Sequence, residues 1–205
     1  MILFLDTHDE LITIAVKTKD DLFIKTKISE YSHSIFTMPM IEEIFNENNL
    51  NIKDLNKIIV VNGPGSFTGI RIGLTIAKVY AWGLNIPITT IYSLEAMAIS
   101  SNKNTYHVPM INARRGYVFS AIYDENYNEV LKPQHIPLTE LQDKLKDIDN
   151  YEIISNDEFD EIENINSYSH DFLKIVEYFK DKECVNPHAV NPEYLKLTEA
   201  EESKK

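Results

Sequence analysis

One pattern occurs twice in this chain and limits what it can fold into. Ile2-Leu3-Phe4-Leu5-Asp6 is an apolar run closed by a polar residue, and Val108-Pro109-Met110-Ile111-Asn112 repeats it 106 residues later. Leu11–Lys17 follows the first run, and Tyr117–Tyr123 follows the second at the same offset. Each half therefore begins with an apolar strand, a polar residue, a short turn and a second strand. The repetition reads as a diverged duplication that gives two similar lobes facing a cleft. The alternative is a chance likeness between two hairpins. A polar, Lys/Asn-rich stretch at Ser101–Thr105 marks the expected boundary, with one lobe over 1–100 and a smaller one over 101–205.

Charge narrows the function classes. The 205 residues carry a net charge of −12. Residues 1–123 hold 11 acids and 11 bases, 124–163 hold 13 acids and 3 bases, and 164–205 hold 8 acids and 6 bases. The acidity belongs to one segment, either a solvated face or a patch for a basic partner. Arginine occurs only at 71, 114 and 115, so the broad basic footprint of an independent nucleic-acid binder is missing. The single cysteine, Cys184, rules out an internal disulfide framework and a Cys-only zinc site. No segment reads as a secretory signal or a membrane span. A soluble, cytoplasmic protein is expected.

The coarse element order is α/β. Strands are predicted at Ile2–Leu5, Leu11–Val16, Leu22–Lys27, Ile58–Val61 and Pro87–Ile91, with helices at Ser32–Asn46, Phe67–Gly83 and Ser93–Ser100. Pro39 predicts a kink or early end in the first helix. Beyond the boundary come strands at Val108–Asn112, Tyr117–Tyr123, Val130–Ile136 and Tyr151–Ile154, and helices at Leu138–Leu145 and Tyr168–Phe179. Asp157–Asn166 reads as acidic loop, and Glu199–Lys205 as a frayed tail. This alternation implies mixed sheets.

The most informative segment runs from Val61 to Gly73. Its Gly63-Pro64-Gly65-Ser66 turn lies between a strand and a helix. Such a turn can aim amides at an anion. It can equally serve as a tight turn that lets helix and sheet approach. The Walker and dinucleotide spacings are both absent. Ser66 is placed to cap the helix. Along that helix Gly69, Gly73, Ala77 and Ala81 fall every fourth residue. Each glycine costs about 1 kcal/mol of helix propensity relative to alanine, which close backbone approach would offset. The helix is apolar nearly all round, so it needs cover on more than one face. The Ser32–Asn46 helix is similarly wide in apolar residues, and the two are expected to pair. Their second cover is either a partner subunit or another part of this chain.

Other candidates are weaker. Asp6 with His8, Asp9 and Glu10 could hold a metal or simply turn the chain. No histidine pair has helical zinc spacing, and no Gly-x-Ser-x-Gly elbow occurs. Arg114-Arg115 suits a phosphate, a partner carboxylate or an ordinary exposed turn.

Gly63-Pro64-Gly65-Ser66-Phe67-Thr68-Gly69-Ile70-Arg71-Ile72-Gly73-Leu74 resembles the signature of the TsaB (YeaZ) family. Ile2–Thr7, Ser32-His33-Ser34 with Pro39 downstream, Ala113-Arg114-Arg115-Gly116-x-Val118 and Pro192-x-Tyr194-Leu195 resemble further family segments, in order along the whole chain. His8 and Asn112 stand where the family usually has Ser and Asp.

The resemblance implies an actin-like, Hsp70-like (ASKHA) two-lobed fold with a duplicated core. It implies a non-catalytic subunit in tRNA threonylcarbamoyladenosine biosynthesis, one that binds and activates the catalytic subunit TsaD. TsaE joins the pair, TsaC makes the activated donor, and tRNA is met only through the complex. The His-x-x-x-His metal motif of TsaD is absent here, as in the TsaB family. No catalytic, metal or cofactor residue is expected on this chain alone, with a nucleotide at the subunit junction left open. The family pairs through its first two helices, which places the interface on Ile35, Met38, Ile41, Gly69, Gly73, Ile76 and Lys78. Alone, the chain is expected to form a homodimer through the same helices. The rival class is an enzyme in its own right, a peptidase or an ATP-dependent phosphotransferase.

Overall fold

The computed structural model describes residues 1–29 and 32–196. The chain forms two units, Met1–Ser93 with Phe172–Pro192, and Leu94–Asp171 with the described residues from Glu193 onward. A single boundary at residue 100 does not provide for the return of Phe172–Pro192 to the first unit. The expected tail Glu199–Lys205 lies outside the described residues.

The first unit is built on a five-stranded sheet of order β3-β2-β1-β4-β5. Its strands are β1 (Ile2–Asp6), β2 (Leu11–Lys17), β3 (Leu22–Ile28), β4 (Lys57–Val61) and β5 (Ile88–Ile91). β1, β2 and β3 form an antiparallel meander, while β1, β4 and β5 run parallel. Leu3, Phe4, Leu5 and all of Ile58–Val61 are fully buried. A strand apolar on both faces needs cover on both. Helices α1 (His33–Glu47) and α2 (Phe67–Leu84) supply one side, packing Ile41, Ile44, Ile70, Leu74 and Ala77 against Leu3, Leu5, Ile58 and Val60. Phe4 points to the opposite side and meets Phe172 edge-on, with ring centroids 5.3 Å apart. Phe172 opens the later helix α5, which spans Phe172–Phe179.

α1 runs through Pro39 without an early boundary. Pro39 lies on the exposed face, where water can satisfy the carbonyl it leaves unpaired. Ser32 is the N-cap of α1, but its side chain makes no capping bond. Ser66 does cap α2, accepting from the Gly69 N–H as expected.

The second unit repeats the plan. It begins with α3 (Ser93–Ile99), whose Leu94 onward belongs to it, followed by β6 (Tyr106–Asn112), β7 (Tyr117–Tyr123), β8 (Glu129–Pro137), α4 (Leu138–Leu145), β9 (Tyr151–Ile154) and β10 (Ile165–Asn166). The sheet order is β10-β9-β6-β7-β8. Read from β8, this is the order of the first sheet, with the same antiparallel pairs followed by the same parallel pairs. The second hairpin is one residue tighter, since Asp6 faces Thr13 but Asn112 faces Val118. β10 falls at the end of what reads as acidic loop, and α5 starts at Phe172 rather than Tyr168. α4 packs Leu138, Leu141 and Leu145 on one face of this sheet. α3 packs Leu94, Met97 and Ala98 on the other.

Candidate partner-binding face and the polar sites beside it

α2 carries two stripes of opposite character. The small-residue stripe Gly69, Gly73, Ala77 and Ala81 is buried. Thr7, just past β1, occupies the space beside its first two members. A Cβ on Gly69 would strike the Thr7 carbonyl and the His33 ring, and a Cβ on Gly73 would strike the Thr7 hydroxyl. The hydroxyl donates to the Gly69 carbonyl at 2.7 Å. The close approach that the glycines allow is therefore made by this chain's own residues.

This corrects the expected interface. Gly69 and Gly73 are covered within the unit, and Ile41 has no exposed surface because it sits in the core under α1. Ile76 is partly buried against that core. Lys78 is also half-buried, its Nζ donating to the Val190 carbonyl at 3.0 Å. Only Ile35 and Met38 of the expected set face outward, with Ile35 63% exposed.

The outward stripe of α2 is Phe67, Arg71, Thr75, Val79 and Trp82. Its spacing of three and four residues places it on one helical face. Val79 is 62% and Trp82 69% exposed. The Arg71 guanidinium lies 3.7 Å from the Phe67 ring centroid, which holds both side chains at the start of the stripe. α1 lies beside α2 and adds Ile35 and Met38. The sequence pattern points to a helix with too many apolar faces, but spacing alone does not say which face turns inward.

The turn before α2 is bonded into the fold. The Ser66 N–H donates to the His8 carbonyl at 2.6 Å, and the Gly69 N–H is taken by Ser66 Oγ at 3.2 Å. Gly65 lies at φ +155°, and a Cβ there would strike the His8 carbonyl. Two amides that a phosphate loop needs are thus used internally. His8 is itself buried and fixed, with its N–H and Nδ1 at 2.9 and 2.7 Å from Asp6 Oδ1. His33 Nε2 donates to the Asp9 carbonyl at 2.7 Å, tying the start of α1 to the β1–β2 turn. Asn62 keeps a buried side-chain oxygen with no hydrogen-bond partner. Among the described residues, no group of three or more His, Cys, Asp or Glu side chains is placed to hold a metal ion.

The second unit holds a buried polar network that sequence reasoning missed. His107 and Glu152 are neighbours across the β6–β9 pair, with Nδ1 and Oε1 2.8 Å apart. Ser101 Oγ donates to Glu152, and Lys103 forms an ion pair with it at 3.3 Å. Burial alone pushes the Glu152 carboxyl up, but the bonds from Ser101, His107 and Lys103 outweigh it and hold the group below the usual carboxylate range. Tyr127 stacks on His107 at 5.2 Å.

Two sheets of one topology, each with helices on both faces, define a duplicated α/β protein of the actin-like class. The family model of TsaD, described as tRNA N6-adenosine threonylcarbamoyltransferase, matches residues 24–179. The tRNA threonylcarbamoyladenosine biosynthesis protein TsaB of Bacillus subtilis is 32% identical, covering 98% of this chain and 96% of that protein. TsaB of Escherichia coli K12 is 30% identical over 63% of this chain and 57% of its own length. Among solved structures, YeaZ from Pseudomonas aeruginosa superposes with a TM-score of 0.72 at 17% identity, covering 95% of this chain and 99% of that one. A second structure, described as similar to peptidase YeaZ of that organism, gives 0.76 at 17% identity, with the same coverage. Both support the fold. The chain belongs to the TsaB (YeaZ) family of tRNA threonylcarbamoyladenosine biosynthesis proteins.

Proposed function

We propose that this chain is a non-catalytic subunit that docks on the threonylcarbamoyl-transferring subunit, TsaD, through the outward faces of α1 and α2. The observation that carries the reading is the outward stripe of α2. Phe67, Val79 and Trp82 are large, apolar and exposed on one helical face, with Ile35 and Met38 on the adjacent helix. Exposed apolar residues gathered in one patch mark an interaction surface, and an aromatic anchor such as Trp82 is typical of its energetic centre. The buried glycine stripe supports the reading indirectly, because it draws α2 onto β1 and leaves the opposite stripe outward. Without the partner, the same face closes on a second copy of the chain.

Two features favour this reading over an enzyme in its own right. The Ser66 and Gly69 amides of the Gly-rich turn are bonded within the fold, and the histidines lack the spacing of the TsaD metal motif. The test is tRNA threonylcarbamoylation in a purified mixture of TsaC, TsaD and TsaE, with and without this chain. The reading expects product only when the chain is present. Equal product without it, from active components, contradicts the reading. Peptidase or ATPase activity of the isolated chain restores the enzyme class.

A further inference from the structure

We propose that the β6–β7 hairpin tip is an RNA-contacting element, in which Arg114 and Arg115 each take a phosphate and Tyr117, backed by His135, offers its ring to an unpaired base. This rests on the reading that the chain works within a tRNA-modifying complex.

The chain has three arginines, and two are adjacent at this tip. Arg71 is engaged over Phe67. Arg114 and Arg115 are exposed, and no hydrogen bond or ion pair of either guanidinium occurs among the described residues. Asp157 lies at the base of the turn, where its carboxylate accepts the Asn112 N–H at 2.7 Å. Both arginines are in the left-handed region, at φ +66° and +55°, and Gly116 follows at +75°. Gly, Asn and Asp are the residues that adopt this conformation readily. The hairpin alone would be served better by them, so the turn geometry does not account for two arginines. The backbone beneath is firmly held. Arg114 N–H donates to Asn112 Oδ1 at 2.8 Å, Tyr117 N–H to the Arg114 carbonyl at 3.1 Å, and Leu138 N–H to the Gly116 carbonyl at 2.8 Å.

An aromatic platform adjoins the charges. Tyr117 is 40% exposed and stacks on His135, with centroids 4.7 Å apart and planes at 14°. Phe119 braces the same imidazole at 5.2 Å. Guanidinium groups beside an exposed ring match the chemistry of single-stranded nucleic acid, whose phosphates and unstacked bases use both. An acidic peptide would use the arginines and leave the ring idle. The remaining surface of the second unit is acidic, so the contact is local, two phosphates and one base, rather than a basic groove.

The test uses the assembled complex and its substrate tRNA, with affinity measured by fluorescence anisotropy across a salt series. Asparagine accepts the left-handed conformation, so Arg114→Asn with Arg115→Asn preserves the hairpin. That double variant is expected to bind tRNA about tenfold more weakly. Its dependence of log affinity on log salt is expected to be shallower by about 1.4 to 1.8, the share of two phosphates. Tyr117→Ser is expected to weaken binding with the salt slope unchanged. Unaltered affinity and slope in a complex that still assembles overturn the proposal. Lost assembly, with normal tRNA binding by what does assemble, assigns the turn to a protein partner and overturns it too. Failure of the underlying reading shows separately, as a wild-type chain that changes neither tRNA affinity nor threonylcarbamoylation.

Discussion

The Thr7 hydroxyl donates to the Gly69 carbonyl at 2.7 Å and fills the space beside Gly73 that any side chain there would need. This contact seats α2 on the end of β1 and decides which of its faces is left outward.

Gly73→Leu is therefore expected to damage the fold first. Overpacking a closed site costs about 1–3 kcal/mol, more than the roughly 1 kcal/mol gained by removing a helical glycine. Urea denaturation should show a lower midpoint for Gly73→Leu, and little further loss when Gly73→Ala is added to Thr7→Ala, which removes the hydroxyl that a Cβ would strike. A fully stable Gly73→Leu would mean that Thr7 does not occupy this space.

The outward stripe makes the opposite prediction. Trp82→Ala and Val79→Asp remove exposed side chains, so stability should change by less than about 0.5 kcal/mol. Binding to TsaD should weaken for Trp82→Ala by about 2 kcal/mol, or roughly thirtyfold, if Trp82 is a central anchor. Unfolding midpoints and partner affinity, measured on the same preparations, separate the two effects.

Lys57 is a structural cation. Its buried amine donates to the carbonyls of Phe179, Lys180 and Lys182 at 2.6, 2.9 and 3.3 Å, closing the C-terminal end of α5 against β4. Positive charge there also suits the helix dipole. Lys57→Met keeps the aliphatic stem and removes the donors. Hydrogen bonds to charged groups contribute about 1.5–3 kcal/mol, so a loss of that order is expected. Hydrogen exchange should show it as early opening of α5.

Glu152 predicts an acid-sensitive second unit. Its folded carboxyl titrates below the unfolded value, so its stabilisation is present above the usual carboxylate range and is lost as pH falls through the folded pKa. Glu152→Gln should be less stable than wild type at pH 7. The gap should narrow on acidification, because the wild type alone loses this contribution. A gap independent of pH would show that the carboxylate charge contributes nothing.

Much of the fold was legible because local patterns carry it. The apolar runs at Ile2 and Val108 give the central strands of both sheets, and the repeated offset gives the duplication. Long-range placement was not legible. Phe172, Ile175, Val176 and Phe179 mark a helix by spacing, but nothing in that spacing says that Phe172 meets Phe4. Lys57 falls just outside the expected strand Ile58–Val61, a lysine being seldom buried, and only the carbonyls at the end of α5 explain its burial. The wide apolar stripes at Ser32–Asn46 and Phe67–Gly83 made the packing of α1 beside α2 legible. The choice of Ile41, Gly69 and Gly73 went inward because a small-residue stripe marks a close approach without naming the neighbour. Val79 and Trp82, off that stripe, are large apolar residues of α2 that stay exposed.

The central claim is that the outward face of α1 and α2 holds the catalytic partner. Isothermal titration calorimetry of TsaD against this chain, wild type and Ile35→Asp with Val79→Asp, tests it most directly. The account predicts clear binding by the wild type and its loss in a variant that unfolds at the same urea midpoint. Equal affinity of the two proteins would contradict it.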